Sequence, residues 1–229
     1  MTGMKILQAI KKIINFILFP EKCLICGESS TKCLCNQCQK DLKIEFNPKT
    51  INTKLNIMCI SCFAYKGKIR DIIHKFKFKC QKNASEILTN FLVIEINKKY
   101  KSQRFNAISY VPNYQNNYTR GYNQSKVLAN NLSKKLKIPV KSCLIKIRDN
   151  KKQHKLSYIE RQKNVEGVYA CTENLEGQNI LLCDDIITTG ATLSECAKEL
   201  RKSGANVFCA TIAYTILKNQ EKKCKTTEI

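Results

Sequence analysis

The sequence predicts an α/β fold, an open parallel sheet with helices on both faces, preceded by a small cysteine-rich segment. Three observations lead there. Residues 181–192 read Leu-Leu-Cys-Asp-Asp-Ile-Ile-Thr-Thr-Gly-Ala-Thr, an apolar run that closes on two carboxylates and then a hydroxyl-rich turn. Around it, residues 180–183 suit a buried strand, 192–203 carry helical periodicity and 206–214 suit a second strand, which makes a βαβ unit with parallel strands and a right-handed crossover. Gly204 stands where such a helix ends, at a position that favours a residue free to take positive φ. Third, two Cys-x-x-Cys pairs, Cys23/Cys26 and Cys35/Cys38, stand near the N-terminus with eight residues between them.

Taken in chain order, residues 1–19 are expected to form an amphipathic helix. Ile6, Leu7, Ile10, Ile13, Ile14, Ile17 and Leu18 recur at helical spacing, and Lys11 and Lys12 interrupt the apolar run. Such a helix is too short and too interrupted to span a bilayer, and no small-residue cleavage site follows it. It reads as a docking helix, with peripheral membrane contact as the alternative.

Residues 20–64 form the cysteine-rich segment. Four thiolates from two knuckles make a closed tetrahedral zinc site, which leaves no open position for catalysis and supplies folding energy to a segment poor in apolar residues. The expected ligands are Cys23, Cys26, Cys35 and Cys38. Cys33 can replace a neighbour, and a third pair, Cys59/Cys62, can replace either knuckle or remain free. The chain has fourteen cysteines and no secretory signal, so reduced thiols and a cytoplasmic location are expected.

Residues 65–216 read as one α/β domain. Helices are expected over 65–78 and 84–99, a short strand over 107–111 that stops at Pro112, and a helix over 124–137. Residues 217–229 are polar and charged and read as a frayed tail.

Forty Lys+Arg against eighteen Asp+Glu give a formal charge of +22, which attracts polyanions, phosphates or an anionic surface. A bland reading stands beside this one: Lys, Asn and Ile abound throughout, and most lysines simply solvate the surface. Arginine is scarcer, so Arg120, Arg148 and Arg161, in the motif-bearing middle, are the preferred anion contacts. The planar guanidinium can grip phosphate at two points.

The stretch 184–192 has the chemistry of a phosphate and ribose cradle. The junction after a parallel strand is where open α/β sheets bind ligands. Unpaired N–H groups at a helix start sit at the positive end of its dipole, so a phosphate fits Thr188, Thr189, Gly190, Ala191 and Thr192. Gly190 permits close approach, and Asp184 and Asp185 can accept from sugar hydroxyls. An acidic strand end before an ordinary capped helix is the plain alternative. A Walker A loop is excluded, since no GxxxxGK[ST] occurs.

Residues 181–192 resemble the phosphoribosyl pyrophosphate (PRPP) signature of type I phosphoribosyltransferases. Two further stretches narrow the resemblance. Tyr110-Val111-Pro112, then Arg120-Gly121-Tyr122-Asn123-Gln124-Ser125 and Leu128-Ala129, are similar to the VP…RGFNQS…LA motif of the ComF (competence protein F) family. Arg148, Gln153, Leu156, Arg161 and Asn164, with Gly167-Val168-Tyr169, resemble that family's segment leading to its acid pair. Phe19-Pro20 with Cys23, Cys26, Cys35 and Cys38 resemble its FPxxC and paired-knuckle opening, and residues 65–70 resemble its YxGxIR element. The resemblance covers roughly residues 18–214.

It implies a zinc-ribbon-like segment fused to a type I phosphoribosyltransferase-like domain that binds PRPP with Mg²⁺ and takes part in DNA uptake during natural transformation. Asp184 and Asp185 then hold the ribose hydroxyls and stabilise the developing ring cation, residues 188–192 hold the 5′-phosphate, and Arg120 meets the leaving pyrophosphate. Arg148 and Arg161 close over the site. The activity expected is transfer from PRPP to an acceptor that no residue identifies. The competing reading is a non-catalytic cytoplasmic adaptor for single-stranded DNA, drawn from the alternating Lys75, Phe76, Lys77, Phe78 and Lys79. A DNA-translocating helicase is a further partner that the family suggests.

Overall fold

The computed structural model describes residues 22–30, 33–53, 55–78, 82–113, 122–148 and 164–215. The expected helix over 1–19, Arg120, Arg161 and the tail 217–229 lie outside the described residues. The chain divides into two compact units, Met1–Glu45 and Phe46–Ile229.

In the first unit, Lys22 and Ser29 form an antiparallel bridge around the first Cys-x-x-Cys turn. The turn closes through Gly27 N–H to Cys23 C=O at 3.0 Å, with Gly27 at φ +80°. Helix α1 (Asn36–Glu45) starts one residue after Cys35 and buries Cys38 and Leu42, one helical turn apart. Among the described residues of this unit the buried apolar side chains are Cys23, Leu34, Cys38 and Leu42. Two of those are prospective metal ligands, so burial alone leaves the unit short of stabilising free energy.

The second unit is built on a five-stranded sheet. Its strands are β1 (Phe46–Asn52), β2 (Met58–Ala64), β3 (Ala107–Tyr110), β6 (Asn179–Ile187) and β7 (Asn206–Tyr214), in the order β1-β2-β7-β6-β3. β1 runs antiparallel to β2, and the remaining pairs are parallel. A separate two-stranded antiparallel sheet joins β4 (Leu144–Lys146) to β5 (Tyr169–Cys171).

Helices α2 (Gly67–Phe78) and α3 (Lys82–Lys99) lie between β2 and β3, α4 (Gln124–Leu136) follows β3, and α5 (Ala191–Lys202) links β6 to β7. Along β6 the side chains alternate between faces. Ile180 and Leu182 join the core that takes Leu193, Cys196, Ala197 and Leu200 from one stripe of α5. Leu181 and Cys183 point to the opposite face, the side left to α3 and α4. The Tyr100 hydroxyl, just past α3, donates to the carbonyls of Met58 (3.1 Å) and Cys209 (2.9 Å), which ties that helix to β2 and β7.

The expected βαβ unit is present with shifted edges: the first strand reaches Ile187 beyond the expected 183, and the second spans 206–214 as read. The segment 46–64 differs from expectation. Expected within the metal-binding segment 20–64, it instead supplies two strands of the main sheet, and the first unit ends at Glu45. The cause is the sequence MCISCFA of β2, an inner strand covered on both faces. Cys59 and Cys62 act there as small apolar fillers with no exposed surface, and Cys59 stands in register with Cys209 of β7. Among the described residues, the four-thiol group that could hold a metal does not include them.

Candidate functional site

The acid pair sits near the C-terminal end of β6, half-buried, with the strand continuing to Ile187. Asp184 is held by two donors on one oxygen. The Ser125 hydroxyl donates to its Oδ1 at 2.7 Å, and the Asp185 N–H donates to the same atom at 2.9 Å.

Ser125 reaches this position because of how α4 begins. Asn123 caps the helix, its Oδ1 accepting from the Lys126 N–H at 2.9 Å while its Nδ2 donates to the Val111 carbonyl at 3.0 Å. Val111 N–H in turn donates to the Cys183 carbonyl at 3.2 Å, so the end of β3 and the first turn of α4 are both fixed beside the end of β6.

The turn after β6 runs through Thr188, Thr189 and Gly190 into α5. Gly190 is the N-cap at φ 75°, ψ 0°, the left-handed region that disfavours any residue with a Cβ. The nearest atoms a Cβ would meet are those of Thr53 and Ile187 at 3.6–3.7 Å, ordinary contact, so backbone conformation rather than space selects glycine. The Thr189 hydroxyl accepts from the Ala191 N–H at 3.3 Å. Thr188, Thr189, Ala191 and Thr192 are all half-buried, so the turn lies at the rim of the site.

Arg148 lies just past β4, exposed, and its guanidinium donates to the Glu166 carbonyl. The adjoining Gly167 N–H donates to Glu195 Oε1 at 2.9 Å, and Lys198 approaches the same oxygen at 3.3 Å, which anchors this turn to α5. The structure thus brings Asp184, Asp185 and the 188–192 turn together and attaches Arg148 to a neighbouring turn. Arg120 and Arg161 lie outside the described residues, as do Gln153 and Leu156. Sequence reasoning gave no role to Ser125 or Thr53. Ser125 lies inside the RGYNQS stretch, whose Asn123 reads as an N-cap before a helix and is the signal that could have placed the serine near the site.

In the first unit the Sγ atoms of Cys23, Cys26, Cys35 and Cys38 all lie within 4.8 Å of one another. Cys26 and Cys35 are 3.7 Å apart, and a tetrahedron with bonds of about 2.3 Å to sulfur has an edge of about 3.8 Å. The Cys38 N–H donates to Cys35 Sγ at 3.4 Å, a hydrogen bond that orients the sulfur. Burial, together with the thiols of Cys35, Cys23 and Cys26, pushes the Cys38 thiol well up. Burial also acts upward on Cys23, but backbone donation from Cys35, Cys26 and Ile25 brings it down to about 6. Four thiolates this close repel one another unless a cation sits among them, so the donor set fits a metal ion.

With this geometry the second unit is a phosphoribosyltransferase domain: residues 123–228 match the family model described as "Phosphoribosyl transferase domain". "DNA utilization protein YhgH" of Escherichia coli O157:H7 is 30% identical over 153 residues, covering 63% of this chain and 67% of that protein. "Competence protein F" of Haemophilus influenzae is 33% identical over 141 residues, 58% of this chain and 62% of its own length. "Competence protein ComFC" of Bacillus subtilis is 27% identical over 197 residues, 85% of this chain and 75% of its own. The chain belongs to the ComF family. It spans about two thirds of the length of the first two of these relatives.

Proposed function

We propose that this chain binds PRPP together with Mg²⁺ at the C-terminal end of β6 and acts in the cytoplasm in DNA uptake during natural transformation. The observation that carries the reading is the half-buried pair Asp184 and Asp185 on a parallel strand end, followed by a left-handed Gly190 that opens α5. The relatives named for competence and DNA utilization support the biological role.

In this reading the backbone N–H groups of 188–192 take the 5′-phosphate, and the hydroxyls of Thr188, Thr189 and Thr192 add donors. Asp184 and Asp185 accept from the 2′- and 3′-hydroxyls. As pyrophosphate leaves, positive charge develops on the ribose ring, and two fixed carboxylates beside it stabilise that charge without reorganising. Binding the phosphate and the hydroxyls at once orients the anomeric carbon for attack. Bound beside Asp184 and Asp185, Mg²⁺ would supply positive charge against the leaving pyrophosphate. Arg120 pairs with the pyrophosphate, and Arg148 and Arg161 supply further anion contacts. The activity is phosphoribosyl transfer to an acceptor still to be found. A screen of nucleobases for PRPP-dependent pyrophosphate release tests it: release with one acceptor, abolished in an Asp184→Ala/Asp185→Ala variant, is expected, and release that survives the double substitution refutes the assignment.

The four N-terminal thiols hold one structural Zn²⁺, a closed site that stabilises the first unit. Through it the chain engages a DNA-translocating helicase. Co-purification that resists nuclease but fails in a Cys23→Ser/Cys26→Ser variant is the expected result.

A second reading, a single-stranded DNA adaptor, is favoured by one feature. A cleft of about 430 Å³ counts among its lining residues the half-buried ring of Phe105 and the exposed cations Lys101 and Arg104. Cations beside aromatic rings suit phosphates and stacked bases. Lys75, on α2, is a further contact in this reading. Steep salt dependence of oligonucleotide binding, weakened by Lys101→Glu/Arg104→Glu, would put this reading first.

A further inference from the structure

We propose that Ser125 is a positioning residue for PRPP: by donating to Asp184 it fixes the carboxylate that meets the ribose hydroxyls. The inference rests on the reading of Asp184 as a ribose contact. Its basis is a 2.7 Å hydrogen bond between residues fifty-nine apart in sequence, one in the first turn of α4 and one on β6.

Three features make this more than a chance contact. Ser125 is 6% exposed, so its hydroxyl has little water to turn to. The Ser125 hydroxyl and the Asp185 N–H converge on the same oxygen, Oδ1, and two donors on one oxygen fix the rotation of the carboxylate as well as its place. The serine itself cannot drift, because the Asn123 cap ties the start of α4 to the Val111 carbonyl, and Val111 is tied to Cys183, the neighbour of Asp184. The path Val111, Asn123, Ser125, Asp184 therefore joins the two halves of the RGYNQS and acid-pair motifs into one rigid corner. A hydroxyl at position 125 serves the acid, while the adjoining Asn123 serves the helix.

The specificity of this role sets its test. Ser125 acts through Asp184 on the sugar, and inorganic pyrophosphate has no sugar. Calorimetric titrations of the full-length, zinc-loaded protein with PRPP, ribose 5-phosphate and pyrophosphate, each with Mg²⁺, are compared for wild type, Ser125→Ala and Ser125→Thr, with the exposed Asn130→Ala as control. Loss of a hydrogen bond to a charged group is worth roughly tenfold or more in affinity. The expected result is that Ser125→Ala weakens PRPP and ribose 5-phosphate about tenfold, leaves pyrophosphate unchanged, and that Ser125→Thr restores most of the loss. Equal weakening of all three ligands, or no change in any, overturns the positioning role while leaving the PRPP reading intact. A wild-type protein that binds no PRPP overturns that reading and the inference with it.

Discussion

Asn123 joins the end of β3 to the start of α4: its side chain donates to the Val111 carbonyl at 3.0 Å and accepts from the Lys126 N–H at 2.9 Å. One amide thus satisfies a helix N-terminus and a strand end together. Replacing it by Ala removes a cap worth about 1 kcal/mol and strips a partner from a carbonyl next to the site. The melting temperature should fall by roughly 3–6 °C for a loss of about 1.5 kcal/mol in a chain of this size. Asn123→Asp keeps the cap and loses only the donor, so it should melt between the two. Equal melting of wild type and Asn123→Ala by calorimetry would contradict the bridging role.

Gly190 and Gly204 both take positive φ, for different reasons. Around Gly190 a Cβ would find ordinary contacts, so Gly190→Ala costs only the left-handed backbone, about 1–2 kcal/mol. At Gly204 a Cβ would come within 2.7 Å of Glu176 Cα, which adds a clash with backbone. Gly204→Ala should therefore unfold at lower denaturant than Gly190→Ala, whereas Gly190→Ala should weaken PRPP more. Urea melts paired with PRPP titrations separate the two effects, and the reverse ranking would count against the phosphate turn.

The two sets of paired cysteines predict opposite results on substitution. Cys35→Ser should abolish zinc binding, measured by elemental analysis of the purified protein, because it breaks a four-thiol set within 4.8 Å. Cys59→Ser should leave one zinc per chain in place but lower stability, because it buries a hydroxyl in an apolar strand. Retention of zinc by Cys35→Ser with loss in Cys59→Ser would reverse the assignment.

Buried thiols make stability sensitive to alkali. Burial raises the Cys59 thiol from an ordinary value of 9.0 to about 12, and Cys143 to about 11. The unfolded chain ionises these thiols near pH 9 while the folded chain keeps them neutral. Their contribution is therefore complete below about pH 9 and is lost as pH rises toward 11–12, at about 1.4 kcal/mol per pH unit for each thiol. Cys62, Cys196 and Cys209 shift the same way, chiefly through burial. Thermal melts in reductant should be level from pH 7 to 8.5 and then drop steeply, and a profile still flat at pH 10.5 would contradict the burial.

Much of the fold could be read from residue patterns. The unit β6-α5-β7 and the helix after Asn123 were legible because their apolar spacing is unbroken and caps or glycines mark their ends. β1 and β2 were missed because the cysteines of MCISCFA carry two signals, metal ligand and small apolar filler, and spacing alone does not choose between them. β4 and β5 span three residues each, too few for a period to show. The acid pair, the glycine turn and the four-thiol set were legible as local motifs. The Ser125 contact was not, since it joins residues that only the β3-to-β6 pairing brings together.

If the end of β6 is a working PRPP pocket, calorimetric titration of PRPP with Mg²⁺ into the zinc-loaded protein should show micromolar binding, and the Asp184→Ala/Asp185→Ala variant should show none. Wild-type protein that fails to bind, or binding equal in both, would refute the pocket.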